Sequence, residues 1–167
     1  SSDVCSSDLI PSPVRSFNVD QLPVDVFASN DAMSEFVAHH VRSILIDAVA
    51  RQGSAAAILA TGNSQIRFLK RLVELGGIDW SKVTLFHMDE YLGIPADHPA
   101  GFRRYMKDRV ESLVRPKVFH YIGGDADLPL IECDRYTALL RAQTIDLCCM
   151  GVGENGHLAF NDPPVAR

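Results

Sequence analysis

No run of uninterrupted apolar residues in this sequence approaches a membrane span of about 18 residues, and the N-terminus lacks the basic start and apolar core of a secretory signal. Lys and Arg number 16 against 21 acidic residues, giving a net charge of −5, and they nowhere gather into a stripe interleaved with aromatics. These absences exclude a membrane and nucleic acid as partners and read as a cytoplasmic protein. Cysteine is scarce as well. Cys5, Cys133, Cys148 and Cys149 show no C-x-x-C spacing, so zinc and redox chemistry are not indicated and free, buried thiols are expected. His87, Asp89, His98 and His157 match neither H-E-x-x-H nor H-x-H, so no metal is expected.

What is present is an ordinary globular composition: 167 residues, 47% hydrophobic and 22% charged, with a mean hydropathy of +0.03. That excludes collagen, coiled coil and a disordered tail, and it suffices for one domain with its own core. Residues 1–20 open on a repeated Ser-Ser-Asp, continue through Pro11 and Pro13, and are expected to be a disordered or non-native leader. Residues 21–167 are expected to form a single α/β domain. Strand patterns at VDVFA (24–28), SAAAILA (54–60), KVTLFHMDEY (82–91), VFHYI (118–122) and IDLCCMG (145–151) alternate with helical spacing. The helical positions are Met33, Phe36, Val37, His40, Val41, Ile44, Leu45 and Ala48, then Ile66, Leu69, Leu72 and Val73, then about 100–114, then Leu130 to Arg141. Strands alternating with helices predict a Rossmann-like open parallel sheet with right-handed crossovers and helices on both faces.

Such a sheet binds ligands beyond the carboxyl ends of its strands, and three polar loops follow strands here: Thr61–Ser64, Asp89–His98 and Gly151–Pro164. ATGNS (60–64) sets small residues at a helix start, where free N–H groups and the helix dipole favour phosphate; Asn63 or Ser64 as a simple N-cap is the alternative. The G-x-x-x-x-G-K-[ST] loop is absent. Along the predicted strand 82–91, alternation sends Asp89 and Glu90 to opposite sides; a catalytic carboxylate and surface acids are both compatible with the pair. GVGENG (151–156) satisfies G-x-G-x-x-G, but Pro163-Pro164 bar the long helix that a dinucleotide site needs. Its glycines fit a sharp turn or a close approach instead. His157 has Asn161 and Asp162 nearby to fix a tautomer, or is a plain loop histidine.

Together, MDEYLGIPADHP (88–99), GVGENGHLAFNDP (151–163) and ATGNS (60–64) resemble the glucosamine-6-phosphate deaminase family, the group that includes the 6-phosphogluconolactonases, over about Val24 to Pro164. The resemblance implies conversion of glucosamine 6-phosphate and water to fructose 6-phosphate and ammonia, with a sugar phosphate as the partner and no cofactor. Carried over by motif position, Asp89 moves a proton between C2 and C1, and His157 opens the pyranose ring with support from Asn155 and Asp162. Thr61, Gly62, Asn63 and Ser64 hold the phosphate. Asn155 stands where many members have Asp, and Asp162 where Glu is usual; ATGNS carries Ala and Asn where Pro and Gly or Ser are usual. A lactonase would show Asp-Glu-Arg where this chain has Asp89-Glu90-Tyr91, so the deaminase branch fits better. A sugar-phosphate-binding domain without turnover and a lactonase-like hydrolase are the alternative readings. Family members continue with further sheet and helix elements that carry the phosphate-clamping basic residues, so the chain is expected to be incomplete at its C-terminal end. An apolar sheet edge left open there keeps a homo-oligomer in view.

Overall fold

A computed structural model describes residues 10–164; the expectations for residues 1–9, Cys5 included, lie outside the described residues. A hairpin comes first, pairing β1 (Arg15–Val19) antiparallel with β2 (Leu22–Val26). Asp20 supplies a positive φ of 52° in its two-residue turn, which Asp tolerates because its short polar side chain bonds locally. The leader expected to reach residue 20 is corrected here. Phe17 and Val19 alternate with polar neighbours as a strand does, a pattern obscured by Pro11 and Pro13 before it and Pro23 after it.

Helix α1 (Asn30–Gln52) starts at Ser29, whose hydroxyl accepts from Ala32 N at 3.1 Å, and stops at Gly53, which takes a φ of 79° and donates to the Val49 carbonyl at 2.9 Å. Its buried line is Ser34, Ala38, Val41, Leu45 and Ala48, so the expected apolar face is turned and Met33 and His40 are exposed. The small Ala38 and Ala48 pack in one cluster with Ala55 and Ala57 of β3 (Ala55–Leu59). Helix α2 (Asn63–Leu75) follows, buries Phe68, Leu69 and Leu72 and leads to β4 (Val83–His87). The expected helix over 100–114 is α3 (Phe102–Met106), a π turn (Lys107–Glu111) and α4 (Ser112–Val114) in succession. Then come β5 (Val118–His120), α5 (Pro129–Arg141) and β6 (Leu147–Cys149).

The four strands β3 to β6 form a parallel sheet in the order β5-β4-β3-β6. One face carries the core: Ala55, Ala57, Leu59, Val83, Leu85 and Phe119 meet α1, α2 and the 102–114 helical segment through Val41, Leu45, Leu69, Met106 and Val110. The opposite face is covered by α5 at one buried residue. Tyr136 meets Phe86 edge-on at 5.8 Å and donates its hydroxyl to the His87 carbonyl at 2.6 Å, while Leu130 and Ile131 of the same helix stay 81% and 61% exposed. The expectation of buried thiols is corrected in consequence. Strand β6 lies at the sheet edge on this thinly covered side, so it is not buried, and Cys133 and Cys148 are exposed while Cys149 is half-buried.

The two faces therefore differ in what they contribute to stability. Leu69→Ala is expected to cost about 2–5 kcal/mol in urea unfolding through lost burial and the cavity left behind, whereas Leu130→Ala stays within about 0.5 kcal/mol of the parent. A large loss at Leu130 would mean that the α5 face is covered in solution.

Candidate active site

From β3 the chain moves outward through β4 to β5, then returns to place β6 on the other side of β3. At such a reversal the loops leaving neighbouring strands diverge and open a crevice at their carboxyl ends. The loops after β3, β4 and β6 meet there around a pocket of about 210 Å³ lined by Thr61, Gly62, Ser64, Asp89, Phe102 and His157, among others. Asn63 is exposed and does not line it.

The first wall is the start of α2. Gly62 stands at the N-cap with φ 110°, a region that disfavours any side chain, and no side chain caps the helix. The first N–H taken up is that of Gln65, by the Gly62 carbonyl at 3.1 Å; those of Gly62, Asn63 and Ser64 have no partner among the described residues. Asn63 and Ser64 are thus not N-caps, and the positive end of the helix is left open. The Tyr105 hydroxyl steadies the turn by donating to the Gly62 carbonyl at 3.2 Å.

The second wall is the end of β4. The strand stops at His87, short of the expected Tyr91, so alternation along a strand does not govern the acidic pair. Glu90 is instead claimed by backbone: its carboxylate accepts from Phe102 N at 3.0 Å and Arg103 N at 2.8 Å, capping α3, and its side chain is fully enclosed. Asp89 is half-buried in the pocket wall, and no group among the described residues hydrogen-bonds its carboxylate. Burial, followed by the neighbouring Glu90 charge, pushes its pKa above the ordinary carboxylate value. His87 lies beneath, enclosed, its Nε2 accepting from Ile122 N at 2.8 Å; burial pushes it down to about 4, so it is neutral.

The third wall is the loop after β6. It folds back through antiparallel bridges Val152 to Leu158 and Leu158 to Asn161 and opens no helix, in keeping with the reading of GVGENG as a turn. Asn155 Nδ2 donates to Asp162 Oδ1 at 2.9 Å, which turns Asn155 Oδ1 toward His157 Nδ1 at 2.6 Å. Asp162 Oδ1 lies 3.1 Å from the same nitrogen. Both neighbours are acceptors, so neutral His157 carries its proton on Nδ1 and keeps a lone pair on Nε2. Asn155 and Asp162 stand behind the histidine and do not line the pocket. The imidazole lies flat against Gly153, where a Cβ would overlap the ring, so Gly153 is what lets it settle there.

Two aromatic residues of the pocket escaped the sequence reading as site residues. Phe102 was assigned to a helix face, and Phe160 sits in the loop motif without a role. Their rings stack at 5.9 Å, and Tyr91 meets Phe160 at 5.3 Å, tying the histidine loop to the aspartate loop. The signal that could have found them is the recurrence of aromatics in each of the two motifs that carry the resemblance. Among the described residues, no group of three His, Cys, Asp or Glu side chains is placed to hold a metal ion, and no helix is long and apolar enough to cross a membrane.

Comparison with known proteins bears on the same loops. Residues 28–160 match the family of glucosamine-6-phosphate isomerases/6-phosphogluconolactonase. A glucosamine-6-phosphate deaminase of Exiguobacterium sp. is 41% identical over 108 residues, 65% of this chain and 42% of that protein. The glucosamine-6-phosphate deaminase 2 of Giardia intestinalis is 36% identical over 145 residues, 83% of this chain and 53% of that protein. The structure of a monomeric glucosamine-6-phosphate deaminase superposes with a TM-score of 0.76 at 26% identity, covering 81% of this chain and 57% of that one. A 6-phosphogluconolactonase from Shewanella baltica has a TM-score of 0.72 at 22% identity, covering 82% and 59%, which speaks to the fold alone. The chain spans about half the length of the curated relatives it matches. The expected α/β fold, with helices against both faces of a parallel sheet, agrees with these structures. A matched stretch running through the hydroxyl-steadied turn, the free aspartate and the amide-held histidine makes the assignment plain: the chain belongs to the glucosamine-6-phosphate isomerase/6-phosphogluconolactonase family.

Proposed function

We propose that this chain carries the proton-transfer centre of a deaminase that converts glucosamine 6-phosphate and water to fructose 6-phosphate and ammonia. The observation that carries the reading is a division of labour in one pocket: a half-buried carboxylate with no hydrogen bond, Asp89, shares it with His157, whose proton is held on the far nitrogen by Asn155 and Asp162. The 31–41% identity to deaminases over part of the chain supports it.

The chemistry follows from these groups. His157 Nε2 takes the proton of the C1 hydroxyl and returns it to the ring oxygen as the pyranose opens, and Asn155 and Asp162 stabilise the imidazolium formed in between. Asp89 removes the C2 proton of the open-chain sugar and delivers it to C1, while the C2 amino group gives up one proton and the C1 oxygen takes one up, so that a C1 hydroxyl and a C2 imine form. A raised pKa suits this task, because the same group must take a proton from carbon and give it back. The C2 imine that results is hydrolysed by water to fructose 6-phosphate and ammonia. The phosphate lies at the start of α2, where the unpartnered N–H groups of Gly62, Asn63 and Ser64 and the helix dipole meet its charge. A lactonase needs no C2 proton carrier, so the free Asp89 favours the deaminase over the hydrolase.

Two measurements check this reading. Asp89→Asn keeps shape and polarity but cannot accept a proton, so exchange of the C2 hydrogen with deuterated solvent is expected to fall ~10²-fold or more while affinity for glucosamine 6-phosphate is nearly unchanged. An unaltered exchange rate overturns the role of Asp89. Gly62→Val puts a branched side chain where φ is 110° and is expected to weaken glucosamine 6-phosphate binding about tenfold with the far-UV circular dichroism retained. Undiminished affinity means that the turn only begins a helix.

A further inference from the structure

We infer that Glu90 is the positioning residue for Asp89: its enclosed carboxylate fastens the segment that carries Asp89 to the first turn of α3 and sets a fixed negative charge behind it. The inference rests on the reading of Asp89 as the proton carrier and names the group that keeps it in place.

The geometry leaves Glu90 no other occupation. Its Oε1 accepts from Tyr91 N and from Phe102 N, each at 3.0 Å, and its Oε2 accepts from Arg103 N at 2.8 Å. One carboxylate thereby closes both ends of the loop between Glu90 and Phe102. Arg103 stands beside it as a counter-charge, Nε 3.5 Å from Oε2 without a hydrogen bond, and turns its two terminal nitrogens to Asp125 Oδ1 at 2.8 Å and the Ile94 carbonyl at 2.6 Å. From the opposite side Gly124 presses so closely on Glu90 Cγ and the Tyr91 carbonyl that no Cβ fits, and its own carbonyl accepts from Gly93 N at 2.6 Å. A carboxylate clamped from three sides cannot reach a substrate; the residue before it inherits a fixed backbone and keeps its own carboxylate unbonded.

A capping Ser or Asn would satisfy helix N–H groups as well. What Glu adds is a full charge, and that charge sits next to Asp89, where it favours the protonated form. The other groups around Asp89 are Arg103, which stands behind Glu90 on α3, and His157, which shares the pocket from the last loop. His87 at the end of β4 is held neutral by burial, and the turn at 60–64 contributes no titratable side chain.

The test is a carboxyl-carbon NMR titration of Asp89 in the 167-residue chain, its signal assigned by Asp89→Asn, with Glu90→Gln and Arg103→Met compared with the parent. Removing the Glu90 charge is expected to lower the Asp89 midpoint. Removing Arg103 leaves Glu90 without its counter-charge and is expected to raise it. A role confined to folding loosens the pocket in both variants, admits water to Asp89 and lowers the midpoint in both. Opposite shifts support the inference; an unmoved midpoint in Glu90→Gln, or a fall in both variants, overturns it. Should Glu90→Gln fail to fold, Arg103→Met decides alone: a rise supports the inference, and no change or a fall overturns it. The titration requires no turnover, so its failure is distinct from failure of the proton-carrier reading, which the C2 exchange measures.

Discussion

Strand β3 is the inner strand that joins β4 to β6 beneath α1, and the helix can lie close to it because three of its five residues are alanines. Ala55, Ala56 and Ala57 are each at most 3% exposed, with α1 close on one face and partners on both edges: Ala57 pairs with Leu85 of β4 and with Leu147 of β6. Larger residues would push the helix layer away from the sheet. Because β3 is flanked on both sides, the loops leaving β4 and β6 come to rest on either side of the turn at Thr61–Ser64. The pocket is a consequence of this strand order before any particular side chain is considered.

Around the pocket, the polar groups sort into those already committed and those left open. Glu90 is taken by helix N–H groups, His87 by the Ile122 N–H, and Asn155 by the His157 ring and Asp162. The Asp89 carboxylate and the N–H groups of Gly62, Asn63 and Ser64 have no partner among the described residues. The half-buried Asp89 carboxylate and the exposed N–H groups at the start of α2 are thus the polar groups of this region left open. Acidic neighbours were separated here by their bonding partners and not by the side of a strand they occupy.

Much of this arrangement was legible in the sequence. The order of strands and helices followed from apolar period and from Gly53, Gly76 and the Pro residues, and the three loops could be set at strand ends from order alone. The extent of β4 was not legible. Met88 to Tyr91 hold no Gly or Pro to mark an end, yet the strand stops at His87 and Glu90 caps α3. The hairpin was hidden because two proline-rich flanks dominate a short exposed strand. The turned face of α1 escaped because packing against alanines, which carry little weight in a hydrophobic pattern, decided which residues went inside. The Asn155 relay is a contact between side chains seven residues apart in an irregular loop, and no periodicity reports such a contact.

The return of β6 to the side of β3 has a consequence for how the domain assembles. Strands β3 and β4 each pair with their successor along the chain, whereas Asp146, just before β6, holds the Ala56 N–H at 2.9 Å across 90 residues of sequence. The entropy of closing a loop rises with its length, so the nearer pairings form at lower cost and the distant one follows them. Asp89 and the Gly62 turn belong to the part that can organise first, and the histidine loop arrives with the last strand. The aspartate therefore takes its place before the histidine, and a nascent or partly opened domain presents the open start of α2 with no imidazole beside it.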